Sequence, residues 1–111
     1  MSEVLRELAT VLEQRKSASG EDSYVASLYQ QGLTRILQKV EEEAQETIEA
    51  AAECNSTNEE SKAAVIHETA DLWFHTLVML SYLDLGPEQV LEELEKRFNI
   101  SGLEEKASRH N

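Results

Sequence analysis

The sequence predicts an all-α protein, a bundle of four to five helices. Three observations carry this. Only one proline and four glycines occur among 111 residues, too few for a turn-rich β fold. Apolar residues return every three or four positions, which gathers them on one face of a helix. The hydrophobic share is 41%, and its periodicity argues against the disorder that 29% charged residues would otherwise suggest. The length fits a single domain over residues 1–111. Such a domain buries roughly two-thirds of its unfolded surface, enough for one modest core.

The elements follow in order. Val4, Leu5, Leu8, Val11 and Leu12 mark an amphipathic helix from about Glu3 to Lys16. The segment Ser17 to Asp22 reads as a loop, and Ser23 is placed to cap a second helix running to about Gln31. Gly32 weakens or breaks that helix. A third stretch, Leu33 to about Glu53, is either separate from the second or continuous with it. Its apolar face comprises Ile36, Leu37, Val40, Ala44, Ile48 and Ala51, and Glu43 falls at the edge of that face. Lys39, Glu43, Glu46 and Ala50 follow along the same edge.

Cys54 to Asn58 is a polar connection in which Ser56 or Asn58 can cap the fourth helix, which extends to about Leu83. The apolar residues of this helix cover its full circumference, so burial on every side is expected. Short partners within one chain supply little cover, and a homodimer enclosing the helix is the economical solution. Pro87 suits the first position of a fifth helix, where its missing amide hydrogen costs nothing; Val90, Leu91, Leu94 and Phe98 continue it to about Asn99. The tail, residues 100–111, is basic, with Lys106, Arg109 and His110.

The chemistry is carried by two acid pairs, Glu43-x-x-Glu46 and Glu68-x-x-Asp71. The i, i+3 spacing puts both carboxylates of each pair on one helix face. The second pair lies on the helix expected to be buried, where an unpaired carboxylate is expensive. Antiparallel packing of the third and fourth helices would bring the pairs face to face. Four oxygen donors suit Mg2+, with Mn2+ as a substitute, and argue against zinc, which prefers nitrogen and sulfur. The first pair also has a plainer reading. A Glu-x-x-Glu on an exposed helix is usually a solvated face. His75, in line with Glu68 and Asp71, is either a hydrogen-bonded core histidine, or a group that supports the acids from behind or contacts the substrate. Lys39 can meet a phosphate or merely pair with Glu43, and Lys106 and Arg109 form a phosphate clamp or an ordinary basic tail.

The formal charge of −12, from 22 acids against 10 Lys plus Arg, repels nucleic acid and anionic membrane. It would repel a polyphosphate too, unless metal ions neutralise the site locally. The single Cys54 cannot form an internal disulfide, and Met1-Ser2-Glu3 leads straight into an amphipathic pattern rather than a signal peptide. With no apolar run of transmembrane length, a cytoplasmic location is expected.

The stretches KVEEEAQE, from Lys39 to Glu46, and HETADLWFH, from His67 to His75, resemble the signature of the all-α, MazG-like nucleoside triphosphate pyrophosphatases. Within that superfamily the chain is similar to phosphoribosyl-ATP pyrophosphatase. The similarity takes in Ser23 to Val40 and the tail from Ile100 to Arg109. Glu41 departs from the family pattern, which commonly has glycine there, but replaces none of the four acids.

The resemblance implies hydrolysis of phosphoribosyl-ATP between its α and β phosphates, giving phosphoribosyl-AMP and pyrophosphate with Mg2+, the second step of histidine biosynthesis. It implies Glu43, Glu46, Glu68 and Asp71 as catalytic metal ligands, with Glu42 a lesser candidate. Lys39, His75, Lys106 and Arg109 become candidates to bind the ATP-derived substrate. Three other readings remain open at this point. One is a house-cleaning pyrophosphatase for dNTPs or modified nucleotides. Another is a di-iron bundle, disfavoured because its Glu-x-x-His motif needs a histidine where Asp71 stands. The last is a non-enzymatic acidic helical module.

Overall fold

A computed structural model describes residues 2–99, which form five α-helices and no strand. They are α1 (Glu3–Gln14), α2 (Tyr24–Gln31), α3 (Leu33–Ala52), α4 (Glu59–Tyr82) and α5 (Pro87–Phe98), with a short 3-10 turn, Arg15–Ser17, after α1. The tail and its Lys106 and Arg109 lie outside the described residues.

Side chains written into the sequence fix the helix starts. Ser2 accepts from the Leu5 amide at 3.1 Å, Ser23 from Ala26 at 3.2 Å and Asn58 from Ser61 at 3.1 Å, each binding an amide that would otherwise be unpaired. Asn58, not Ser56, therefore caps α4. Gly32 settles the relation of α2 to α3: its φ of 95° belongs to no helix and strains any side-chain-bearing residue. The two helices are thus separate. Pro87 opens α5, and the Gln89 side chain accepts from the Gly86 amide.

The long helices α3 and α4 pack side by side, α2 lies on α3, and α1 lies on α4 and touches α5. The core sits where these meet. Leu12, Val25, Leu28, Ile36 and Val78 are buried in one cluster, with Leu8, Tyr29, Phe74, Leu77 and Met79 around it. The Tyr29 hydroxyl donates to the Leu12 carbonyl at 3.0 Å and ties α2 to α1.

The expectation that α4 is buried all round fails within one chain. Ile66 is 71% and Trp73 62% exposed, and Ala63 and Ala70 on the same side are exposed too. The reason is geometric. A 24-residue helix spans about 36 Å, and α1 and α3 cover only part of its circumference. The Cα radius of gyration, 16.9 Å, also exceeds the roughly 13 Å of a compact domain this long. Among the described residues no helix is long and apolar enough to cross a membrane.

Candidate metal centre

The acids meet where α3 and α4 run alongside each other. Thr47 on α3 pins the pairing: its hydroxyl lies 2.7 Å from the Glu43 carbonyl and 3.1 Å from the Glu68 carbonyl on α4. This places one carboxylate oxygen from each of Glu43, Glu46 and Glu68 within 4.8 Å of the others. Asp71 joins from the flank. It shares a second group, again within 4.8 Å, with Glu68 and His67. Glu68 is common to both groups and stands at their centre.

The burial differs from what the periodicity suggests. The deepest carboxylate is Glu43, 6% exposed, on the helix that reads as amphipathic. Glu68 and Asp71, on the helix that reads as buried, are half-buried. Glu43 sinks because α2 and α4 both cover its side of α3, which a wheel drawn for one helix cannot show.

Lys39 is paired with two carboxylates, its ammonium 3.0 Å from Glu42 and 3.6 Å from Glu43. The hydrogen bond to Glu42, helped by the carboxylate charges and opposed by desolvation, raises the Lys39 pKa above its ordinary value. Lys39 in turn holds the Glu42 carboxyl below the usual range, aided by Arg35 at 3.6 Å. Glu42 is thus turned toward two cations on the exposed edge, outside both ligand-distance groups.

His75 is buried, 5% exposed, rather than open to a ligand. Its Nδ1 lies 2.9 Å from the Asp71 carbonyl, which can only accept, so Nδ1–H donates there. In that tautomer Nε2 accepts from the Tyr24 hydroxyl at 2.8 Å. Nδ1 is also 3.9 Å from Glu43 Oε1, so the ring backs the inner carboxylate. Burial pushes the Tyr24 pKa up, because its hydroxyl end is tucked in although the ring is half exposed. Sequence reasoning did not single out Tyr24 or His67. The i, i+4 spacing of His67 and Asp71 was the available signal for the latter.

The donor set fits a divalent cation. Three carboxylates converge, and among the described residues Lys39 is the one Lys or Arg side chain against the inner one. Among the described residues, Glu43 Oε2 and Glu68 Oε2 are both shut off from solvent and have no hydrogen-bond partner. Such atoms are costly unless something binds them. Glu68 registers the crowding. Hydrogen bonding with the Glu46 carboxyl, then desolvation and the Glu46 charge, raise its pKa above the ordinary glutamate value. A bound cation relieves the same repulsion by replacing the proton.

A model of the phosphoribosyl-ATP pyrophosphohydrolase family matches residues 5–98, and the chain belongs to that family. Its activity is accordingly that of a phosphoribosyl-ATP diphosphatase, a hydrolase of histidine biosynthesis. The match selects this reading over the house-cleaning pyrophosphatase and the non-enzymatic module.

Proposed function

We propose that Glu43, Glu46, Glu68 and Asp71 hold Mg2+, with Mn2+ as a substitute, and that water attacks the α phosphorus of phosphoribosyl-ATP at this centre. The convergence of Glu43, Glu46 and Glu68, with two carboxylate oxygens buried and unpaired, carries the reading. The ion, when bound, neutralises phosphate oxygens and makes a coordinated water more acidic. The bond that breaks is the α–β anhydride, and pyrophosphate departs.

The chain's own part is to hold carboxylates where the incoming negative charge needs a cation between. Glu43 is the fixed wall of the site, backed by His75 and flanked by Lys39. Glu68 and Asp71 form its adaptable side, and Glu46 closes the gap between the helices. Lys39, by releasing Glu42, can turn its ammonium to a substrate phosphate. The position of His75 makes it a support for Glu43 and the Asp71 backbone rather than a substrate contact. Lys106 and Arg109 remain candidates for the phosphate at the ribosyl end, and Glu42 for an outer ligand.

The active form is a homodimer in the cytoplasm. Ala63, Ile66, Ala70 and Trp73 line one side of α4 at helical spacing, exposed in a single chain. Covering Ile66 and Trp73 alone is worth about 1.5–3 kcal/mol each. A second copy presents the same stripe, so one interface covers both. Two measurements test these readings: pyrophosphate release from phosphoribosyl-ATP in Mg2+ and in chelator, and sedimentation equilibrium. Undiminished release in chelator would remove the metal centre, and a monomer at micromolar concentration would remove the dimer.

A further inference from the structure

We propose that Tyr24 is a positioning residue for the hydrolysis: through His75 it fixes where the Glu43 carboxylate stands to meet the ion. The inference rests on the reading of Glu43 as a metal ligand. It adds a residue of α2 to a centre built from α3 and α4.

The Glu43 carboxylate is not held by hydrogen bonds of ordinary length. Among the described residues its Oε2 has no partner, and its Oε1 stands 3.6 Å from the Lys39 ammonium and 3.9 Å from His75 Nδ1. Both separations exceed the roughly 2.7–3.2 Å of an N–H···O bond. Packing therefore places this carboxylate, and the buried His75 ring is the polar group behind it. The ring is fixed where the carboxylate is not. Its Nδ1 donates to the Asp71 carbonyl at 2.9 Å, and its Nε2 accepts from the Tyr24 hydroxyl at 2.8 Å. It also stands edge-to-face with Phe74, the ring centroids 5.1 Å apart.

Tyr24 decides the orientation of that ring. Asp71 and Phe74 belong to α4, as His75 does, and travel with it. They leave the ring free to tilt about its Nδ1 edge. The Tyr24 hydroxyl grips the far nitrogen from another helix and removes that freedom. A buried Nε2 without a donor is costly, so without the hydroxyl the ring gains by tilting toward another one, and the carboxylate resting against it shifts too. The helix that brings the hydroxyl is itself well fixed. Ser23 caps it one residue before Tyr24, and Val25, Ala26 and Leu28 are buried. A simple tie between helices is the plain alternative, and Tyr29 on the same helix is an example of one. Its hydroxyl donates to the Leu12 carbonyl at 3.0 Å and lies near the charges of Lys16 and Glu13, whereas those of Lys39 and Glu43 act on Tyr24.

The test uses the full chain. Mn2+ binding is followed by the electron paramagnetic resonance of the free ion, and pyrophosphate release from phosphoribosyl-ATP is followed across a Mg2+ titration. Wild type is compared with Tyr24→Phe, Tyr29→Phe, Glu43→Gln, and His75→Asn alone and combined with Tyr24→Phe. Losing an outer partner of a metal ligand weakens binding or activity about 10- to 100-fold, and Tyr24 acts at one remove. Tyr24→Phe is therefore expected to raise the Mn2+ dissociation constant, and the Mg2+ needed for half-maximal rate, about 10-fold. Tyr29→Phe should stay at the wild-type values. Tyr24→Phe added to His75→Asn should cause no further loss, because the two act as one unit. Tyr24→Phe binding Mn2+ no more weakly than Tyr29→Phe, with Glu43→Gln weakened, would overturn the inference and leave the carboxylate centre standing. A full further loss in the double variant would overturn the route through His75. Wild-type Mn2+ affinity in Glu43→Gln would remove Glu43 as a ligand and the inference with it.

Discussion

The α3 acids and the α4 acids share one spacing but not one environment. Glu43 is enclosed, with Lys39 on one side and His75, itself anchored by Tyr24, behind it. Glu68 and Asp71 are half-buried, beside a solvent-exposed His67. A carboxylate fixed by packing offers its oxygens in one place, and one at a half-open edge can follow what binds. The centre thus joins a rigid wall to an adaptable one. In the proposed centre, rigid placement suits a ligand that must hold its ion in one position against the reacting phosphate, and adaptability suits ions that arrive with the substrate and leave with the product.

Shortening and lengthening the acids breaks the comparison most sharply. Glu43→Asp withdraws a carboxylate that nothing can push forward, and a misplacement of about 1 Å can cost 100-fold in rate. Asp71→Glu lengthens a side chain with room to adjust and should cost far less. Steady-state rates at saturating Mg2+ check this, and equal losses would erase the distinction between the walls.

The exposed stripe on α4 gives the next largest effect. Trp73→Asp puts a charge at the centre of the proposed contact. It is expected to shift the protein to monomers and lower its melting temperature at fixed concentration, read by sedimentation and thermal unfolding. A dimer of wild-type stability would show that this face is not the interface.

Proton linkage sharpens the contrast at a smaller scale. The Glu68 pKa is raised in the folded, metal-free protein. Its contribution to stability is therefore complete below the ordinary glutamate value and is lost as pH rises through the raised one. Excess Mg2+ replaces the proton and should reverse that trend. Thermal unfolding between about pH 4 and 7, with chelator and with Mg2+, checks the sign.

The smallest effect belongs to the support behind Glu43. Tyr24→Phe leaves the buried His75 Nε2 without its donor and should cost about 1 kcal/mol, measured by denaturant unfolding. Unchanged stability would mean that water takes the place of the hydroxyl.

How far the sequence reveals this arrangement depends on the element. The helices are legible because their signals are local: Ser23, Asn58 and Pro87 stand where helices begin, and Gly32 stands where two part. The acid pairs are legible because i, i+3 spacing needs no tertiary knowledge. Depth is not legible. Glu43 looked marginal on its own helical wheel, yet it is buried because α2 and α4 close over it. The apolar circumference of α4 pointed to burial that one chain does not provide. Partners for His75 were also hidden, since Tyr24 reaches it from 51 positions away in the chain. His67 stood in plain view at one turn from Asp71, but its exposure and its 3.4 Å approach needed coordinates.

The central claim is that carboxylates from α3 and α4 form one metal centre pivoting on Glu68. Pyrophosphate release from phosphoribosyl-ATP by Glu68→Gln at saturating Mg2+, with helical content followed by circular dichroism, tests it most directly. The account predicts a folded protein whose rate falls at least about 100-fold. A folded Glu68→Gln protein turning over at the wild-type rate would contradict it.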